Sequence, residues 1–257
     1  MRLQFIVCDM LMLPAEHLAE ASAHDIVISD LSASLHVEPL PLRDRIQEEI
    51  DRIEIEDPMA DAIILGYGLC GGATAGLVAR SRPLVLPRAH DCVTIFLGSR
   101  ERYQQEQDST PGTYWFTEDN IKRGNAFMGW LLGNSERSDG VKATYEEYVE
   151  KYGQENADYL MEALGEWQQH YSRGAFLETG LAADDEALER ARQETEQRGW
   201  RFETILSDLT LIERLLDGEW DADFVVIRPG ETLEMSYDDD IVRTVPAESV
   251  ASQPRAR

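Results

Sequence analysis

The sequence predicts an α/β protein, built as a doubly wound, mainly parallel sheet with a mostly helical insertion. Three observations carry that prediction. Short apolar runs alternate with helical segments toward both ends of the chain. The runs are largely unbroken, as in strands covered on both faces. Between about residues 111 and 199 the pattern gives way to stretches rich in Tyr, Trp and Glu.

Leu3–Val7 reads as the first buried strand, His17–Ala23 as a short helix and Ile26–Ile28 as a second strand. Pro39–Ile53 reads as an amphipathic helix, because Leu42, Ile46, Ile50 and Ile53 recur at helical spacing. Pro39 and Pro41 suit its first turn. Ala62–Leu65 is a buried strand ending in a glycine-rich turn, with a helix expected over Ala73–Ala79. Leu84–Leu86 is the next strand, and Val93–Gln107 is expected as one helix. Thr110–Thr117, with its Pro-Gly pair, is expected to form a hairpin or to cover the pocket described below. Thr144–Tyr152, Ala157–Tyr171 and Asp184–Gln197 read as helices. The α/β pattern resumes with a strand at Arg201–Leu206, a helix at Leu209–Leu216 and a strand at Phe224–Ile227. This places the α/β core at 1–110 and 200–237, the insertion at 111–199, and a partly disordered polar tail at 238–257.

Composition narrows the functions open to such a fold. With 24 basic against 49 acidic side chains the net charge is −25, which repels nucleic acid and anionic lipid. No run reaches the roughly 18 apolar residues of a membrane span, and the N-terminal residues lack a signal peptide's apolar stretch and cleavage site. A cytoplasmic protein is expected. Three cysteines spaced 62 and 22 residues apart do not form a secreted disulfide framework. In a reducing compartment they are core residues, ligands or reactive thiols.

Their placement favours a site. Cys8 follows the first strand, Gly66–Gly72 follows the strand at 62–65, and Pro87–Cys92 follows the strand at 84–86. Open parallel sheets bind ligands outside the carboxyl ends of their strands, near the point where strand order reverses. Cys8, Cys70, His90 and Cys92 are therefore expected to meet. Thiolate and imidazole suit zinc, and three cysteines with one histidine complete a tetrahedral site. With only three protein ligands, the open position would activate water or a substrate thiol. The set lacks a Cys-x-x-Cys pair, and His90 and Cys92 reach one ion only from an irregular turn.

The glycine-rich turn adds a candidate cofactor or anion cradle at Gly68, Gly71 and Gly72. A helix starting after it would lower the pKa of Cys70 and make it a nucleophile, with His90 as base. Arg88 is placed to hold a carboxylate or phosphate, and His36 to act as a further ligand or proton carrier. Tyr67 and Tyr114 are candidate walls. Plainer readings compete: cysteines often fill cores, the glycines also suit tight strand-to-helix packing, and Asp91 suits a helix cap.

These same residues resemble a known family. Gly66-Tyr67-Gly68-Leu69-Cys70-Gly71, Pro87-Arg88-Ala89-His90-Asp91-Cys92, Leu97–Tyr103 and Pro111-Gly112-Thr113-Tyr114 are similar to the uncharacterised domain of unknown function 1638 family. Leu35-His36 with Pro39 and Leu42, and Gly218-Glu219-Trp220 with Pro229-Gly230, agree, so the likeness spans about residues 1–235. The segment Thr117–Ile121 departs from the family's pattern. The resemblance implies no established activity. It implies an association with corrinoid-dependent methyl transfer in anaerobes, and so a corrinoid cofactor and a methyl-group or thiol ligand beside the zinc expected from the cysteines and His90. A non-catalytic accessory role beside a methyltransferase or corrinoid protein is the alternative, with Trp115, Trp130 and Trp167 as anchors.

Overall fold

The computed structural model describes residues 1–37, 39–122, 149–150, 153–154, 170–181, 185–236, 238 and 240–250. The chain divides into two compact units, Met1–Gln104 with Ser207–Arg257, and Gln105–Leu206.

The first unit is built on β1 (Arg2–Cys8), β2 (Asp25–Leu31), β3 (Ala62–Gly66), β4 (Leu84–Pro87) and β8 (Phe224–Ile227), in the order β2-β1-β3-β4-β8. The first four strands run parallel and β8 pairs antiparallel to β4, giving the mainly parallel α/β sheet that the apolar runs predict. The chain passes from β1 outward to β2, then returns past β1 to β3. The order therefore reverses between β1 and β3, whose ends align through Val7 and Gly66.

Helix α1 (Met12–Ala21) connects β1 to β2, and α2 (Pro39–Glu56) connects β2 to β3. The spacing read from sequence holds in α2, where Leu42, Ile46, Ile50 and Ile53 are buried in one core with Ile6, Cys8, Ile63 and Leu65. Helix α7 (Thr210–Leu216) packs beside α1 and β4.

Three expectations fail here for local reasons. Ala73–Ala79 is not a helix. Gly71, Gly72 and Gly76 take φ of +66°, +93° and +89°. The Gly76 and Ala79 amides are drawn off to the Leu233 and Glu231 carbonyls. Those carbonyls belong to a hairpin of β9 (Glu231–Met235) and β10 (Val242–Pro246), in the stretch read as the end of the core and the start of the tail. Ile241 and Val242 are buried in the core, and α8 (Ala247–Val250) follows. The remainder of the expected tail, 251–257, lies outside the described residues. The third is the single helix at 93–107. It is split into α3 (Cys92–Phe96) and α4 (Arg100–Ser109), with Gly98 at φ +77° between them.

The second unit, by itself, holds a parallel sheet in the order β5 (Thr113–Phe116), β6 (Arg173–Glu178), β7 (Arg201–Leu206). Thr113–Phe116 is thus a strand of a parallel pair rather than of a hairpin, and Arg201–Leu206 pairs with β6 rather than with the first sheet. Helices α5 (Glu118–Lys122) and α6 (Asp185–Gln197) pack there. Tyr114, Phe116, Ile121, Phe176, Ala187, Ala191 and Trp200 form the core. Arg173, only 4% exposed, bonds to Glu106 and Glu203 at 2.8 and 3.0 Å and to the Thr113 hydroxyl at 2.8 Å. The helices expected at 144–152 and 157–171 lie almost wholly outside the described residues. Among the described residues no helix is long and apolar enough to cross a membrane.

Candidate functional site

The reversal of strand order between β1 and β3 sets the carboxyl ends of β1, β3 and β4 next to one another. Cys8 ends β1 and is 2% exposed. Its neighbour Asp9, also buried, accepts a 2.8 Å hydrogen bond from the Ala33 amide and so ties β1 to the turn that carries His36.

The turns after β3 and β4 are joined through their backbones. The Leu69 amide donates to the Ala89 carbonyl and the Cys70 amide to the His90 carbonyl, both at 2.8 Å. This close approach is why residue 68 is glycine: a Cβ there would lie 2.7 Å from the Asp91 nitrogen and 2.8 Å from the Ala89 oxygen. The Thr74 hydroxyl donates to the Gly68 carbonyl at 3.1 Å. Cys70 itself has φ +48°, a left-handed conformation that costs a non-glycine residue about 1–2 kcal/mol. Such strain persists where the surroundings over-determine it, often at functional sites.

All three cysteines are free. Burial is the first cause that pushes the Cys92 thiol well up, followed by the charges of Asp91, Cys8 and Cys70. Burial and then Asp91 push the Cys70 thiol up to about 12, offset in part by a backbone hydrogen bond at Gly68. The expected low-pKa nucleophile is therefore corrected. No helix starts after the turn to supply a dipole, and both thiols are held neutral at pH 7. Among the described residues, no group of three or more His, Cys, Asp and Glu side chains could hold a metal ion as they are arranged.

The remaining candidates divide. His36 donates from Nδ1 to the Ala33 carbonyl at 3.1 Å and stacks on Tyr67, with ring centroids 6.0 Å apart and planes 16° apart. Burial lowers its pKa, so the ring stays neutral and its Nε2 keeps an acceptor lone pair. His90 is exposed, its ring tilted against Tyr103 at 5.9 Å, so its backbone rather than its imidazole braces the Cys70 turn. Asp91 caps α3 by accepting from the Thr94 amide at 3.1 Å, as the plainer reading has it. Arg88 donates to the Asp240 carbonyl at 2.9 Å and to that of Val242, so it fastens the β9–β10 hairpin. Gly71 is exposed, and Gly72 faces the Met235 sulfur, 3.4 Å from where a Cβ would stand. Tyr114 sits in the second unit's core, and Trp115 lies under the Arg173 guanidinium at 5.6 Å. Trp130 and Trp167 lie outside the described residues.

Sequence reasoning cast Tyr67 as a wall. It is more than that: the side chain is 1% exposed, in one core with Cys8, and Cys70 packs against that core. Its hydroxyl has no hydrogen-bond partner among the described residues. Asp9, which orders the His36 turn, was missed because a lone acid after a strand carries no pattern.

A family model described as "Protein of unknown function (DUF1638)" matches residues 31–216, a span that contains both turns and His36. No curated protein and no solved structure matches the chain.

Proposed function

The chain belongs to the DUF1638 family, and on that footing we propose that it binds a soft divalent metal ion, zinc in the first instance, through Cys8, Cys70 and Cys92. The observation that supports this is the placement of Cys8 at the end of β1, Cys70 in the turn after β3 and Cys92 at the start of α3 after β4, on strands that neighbour one another in the sheet. Their charges reach one another, since ionising Cys92 is opposed by both Cys8 and Cys70. Neutral thiols do little for one another. A cation converts them to thiolates and cancels their repulsion. Binding therefore expels protons and strengthens with pH. It also draws the sulfurs inward, since they are not arranged as a closed cage beforehand.

The fourth position falls to an imidazole, from His90 or His36, or to a donor from solution. Through an open position the ion would take a thiol or methyl-group ligand, and a corrinoid or methyltransferase partner would act there. Three free thiols of this kind belong in a reducing compartment, in keeping with a cytoplasmic location.

Elemental analysis of protein purified without a metal-affinity tag tests the reading. About one zinc per chain is expected, with its loss in the Cys70→Ser/Cys92→Ser variant. Substoichiometric metal that is unchanged in that variant sinks the proposal.

A further inference from the structure

Strand β2 lies at one edge of the first sheet, and among the described residues no strand pairs with its outer side. It pairs with β1 along its whole length without a bulge, and it carries no Lys or Pro. Those are the devices that ordinarily stop an edge from recruiting another strand. The opposite edge is different: β8 is four residues long and β10 packs against it. The Asp25 amide donates inward to the Met1 carbonyl. Backbone groups alternate between the two sides of a parallel strand. Val27, Ser29 and Leu31 therefore also face β1, while Ile26, Ile28 and Asp30 turn their N–H and C=O groups outward. Ile26 and Ile28 are half-buried and Val27 is 39% exposed, so the open edge is also apolar.

We propose that this edge takes a second copy of the chain, β2 against β2 in antiparallel register about a twofold axis at Ile28. In that register the outward residues meet as Ile28 with Ile28 and Ile26 with Asp30, and each such pair exchanges two hydrogen bonds. The choice of a second copy rests on helix α2. Its Gln47, Asp51 and Glu54 flank is taken by Val78, Arg80 and Arg82. The other flank bears Arg45, Glu49, Arg52 and Glu56, joined by ion pairs. It lies toward β2, because Glu49 accepts a hydrogen bond from the Ser29 hydroxyl. The signs along this row run plus, minus, plus, minus. Set against itself in the antiparallel sense, the row brings Arg45 opposite the partner's Glu56 and Glu49 opposite the partner's Arg52, centred between residues 50 and 51. The strand puts the axis at the same level. Helix α2 runs back against β2, with a rise of about 1.5 Å per residue against about 3.3 Å in the strand. The step from Ser29 back to Ile28 therefore moves about two residues along α2 from Glu49, to about residue 51. Two separate parts of the chain select one axis. A foreign strand would satisfy the edge but has no reason to match the charge row.

Sedimentation equilibrium of the full chain tests this, at about 0.15 M NaCl, where charges more than about 8 Å apart are largely screened. Wild type is expected to pass from 29.1 kDa to twice that mass over micromolar concentrations. Arg45→Glu and Glu56→Arg, both at exposed side chains, each set like charges opposite one another on both sides of the axis. Each is expected to weaken the dimer about 10-fold. An equimolar mixture of the two makes every facing pair opposite in sign again, and is expected to regain the dimer mass at about wild-type strength. Asp30→Pro removes an outward N–H and no bond to β1. It is expected to melt within about 3 °C of wild type and to dimerise at least about 10-fold more weakly. A wild type that stays at 29.1 kDa up to about 1 mM overturns the proposal. So does a dimer untouched by these substitutions, or a pair of single variants that fail to associate on mixing. If Asp30→Pro melts far below wild type, the mixing experiment decides, because Arg45 and Glu56 are exposed and their reversal leaves the fold intact.

Discussion

Replacing Gly68 by alanine forces a methyl group between the two turns that carry Cys70 and Cys92. It would stand 2.7 Å from the Asp91 nitrogen, 2.8 Å from the Ala89 oxygen and 2.9 Å from the Asp91 Cα. All three are backbone atoms, so no side chain can swing aside. Ordinary contact begins at 3.4 Å, and the second turn must retreat by about 0.7 Å to reach it. That stretches the 2.8 Å bonds from Leu69 to Ala89 and from Cys70 to His90 toward the limit of hydrogen bonding. Overpacking costs about 1–3 kcal/mol and each weakened bond up to about 1 kcal/mol, so a loss of about 2–4 kcal/mol is expected. At roughly 2–4 °C per kcal/mol, the first unit's midpoint falls by about 5–15 °C. Calorimetry measures this, and zinc competition against a chromogenic chelator measures the site. Gly71→Ala is the control. It is exposed, with Pro39 Cγ at 3.7 Å as its nearest neighbour, and bears only the backbone cost of φ +66°, about 1–2 kcal/mol. Zinc affinity should drop at least about 10-fold in Gly68→Ala, roughly 1.4 kcal/mol, and little in Gly71→Ala. A Gly68→Ala protein that melts and binds zinc like wild type refutes the idea that these turns are clamped into one site.

Other consequences follow from different parts of the chain. The metal-free Cys70 thiol, pushed up to about 12, should alkylate at pH 7.5 at least about 100-fold more slowly than a free cysteine, whose pKa is about 8.5; rapid labelling at neutral pH contradicts this. Because that thiol is raised in the fold above its ordinary 9.0, its share of stability is full below pH 9 and is lost as pH climbs from there toward 12. Urea midpoints that stay level from pH 8 to pH 11 would count against it. Arg173→Ala leaves Glu106 and Glu203 without their buried cation and should destabilise the second unit by about 3–5 kcal/mol. Urea unfolding followed by tryptophan fluorescence reads this, with Trp115 beside the guanidinium, and a change under about 1 kcal/mol would show the pairs to be idle. With a net charge of −25, raising NaCl from 0.1 to 1 M cuts the screening length from about 10 to 3 Å and should raise the melting temperature; a flat or falling response contradicts self-repulsion.

The α/β core was legible because its signals are periodic and local. Leu42, Ile46, Ile50 and Ile53 mark the buried stripe of α2, and the apolar runs at 3–7, 62–65 and 84–86 mark buried strands. What sequence could not show was decided by distant partners. Ala73–Ala79 has helical composition, but its amides bond to a hairpin more than 150 residues away. Arg173–Glu178 looks unlike a strand because it opens with Arg-Gly; it becomes one because Arg173 finds Glu106 and Glu203, while Gly174 leaves room for Thr195.

The strand-end positions of the candidate cysteines were legible in outline through residue type and position after a strand. Cys8, Cys70 and Cys92 follow from that rule. The roles of its neighbours do not, because they depend on where side chains turn. Arg88 reaches a hairpin and Asp91 a helix end, while Tyr67, which carries no motif beyond its glycines, turns inward into the core that holds Cys8.

X-ray absorption at the zinc K-edge of the reconstituted full-length protein tests the account most directly. Three sulfur scatterers at about 2.3 Å and one lighter donor at about 2.0 Å are predicted, with a sulfur lost in each of Cys8→Ser, Cys70→Ser and Cys92→Ser. A first shell of oxygen and nitrogen alone, or one unchanged by all three substitutions, would contradict it.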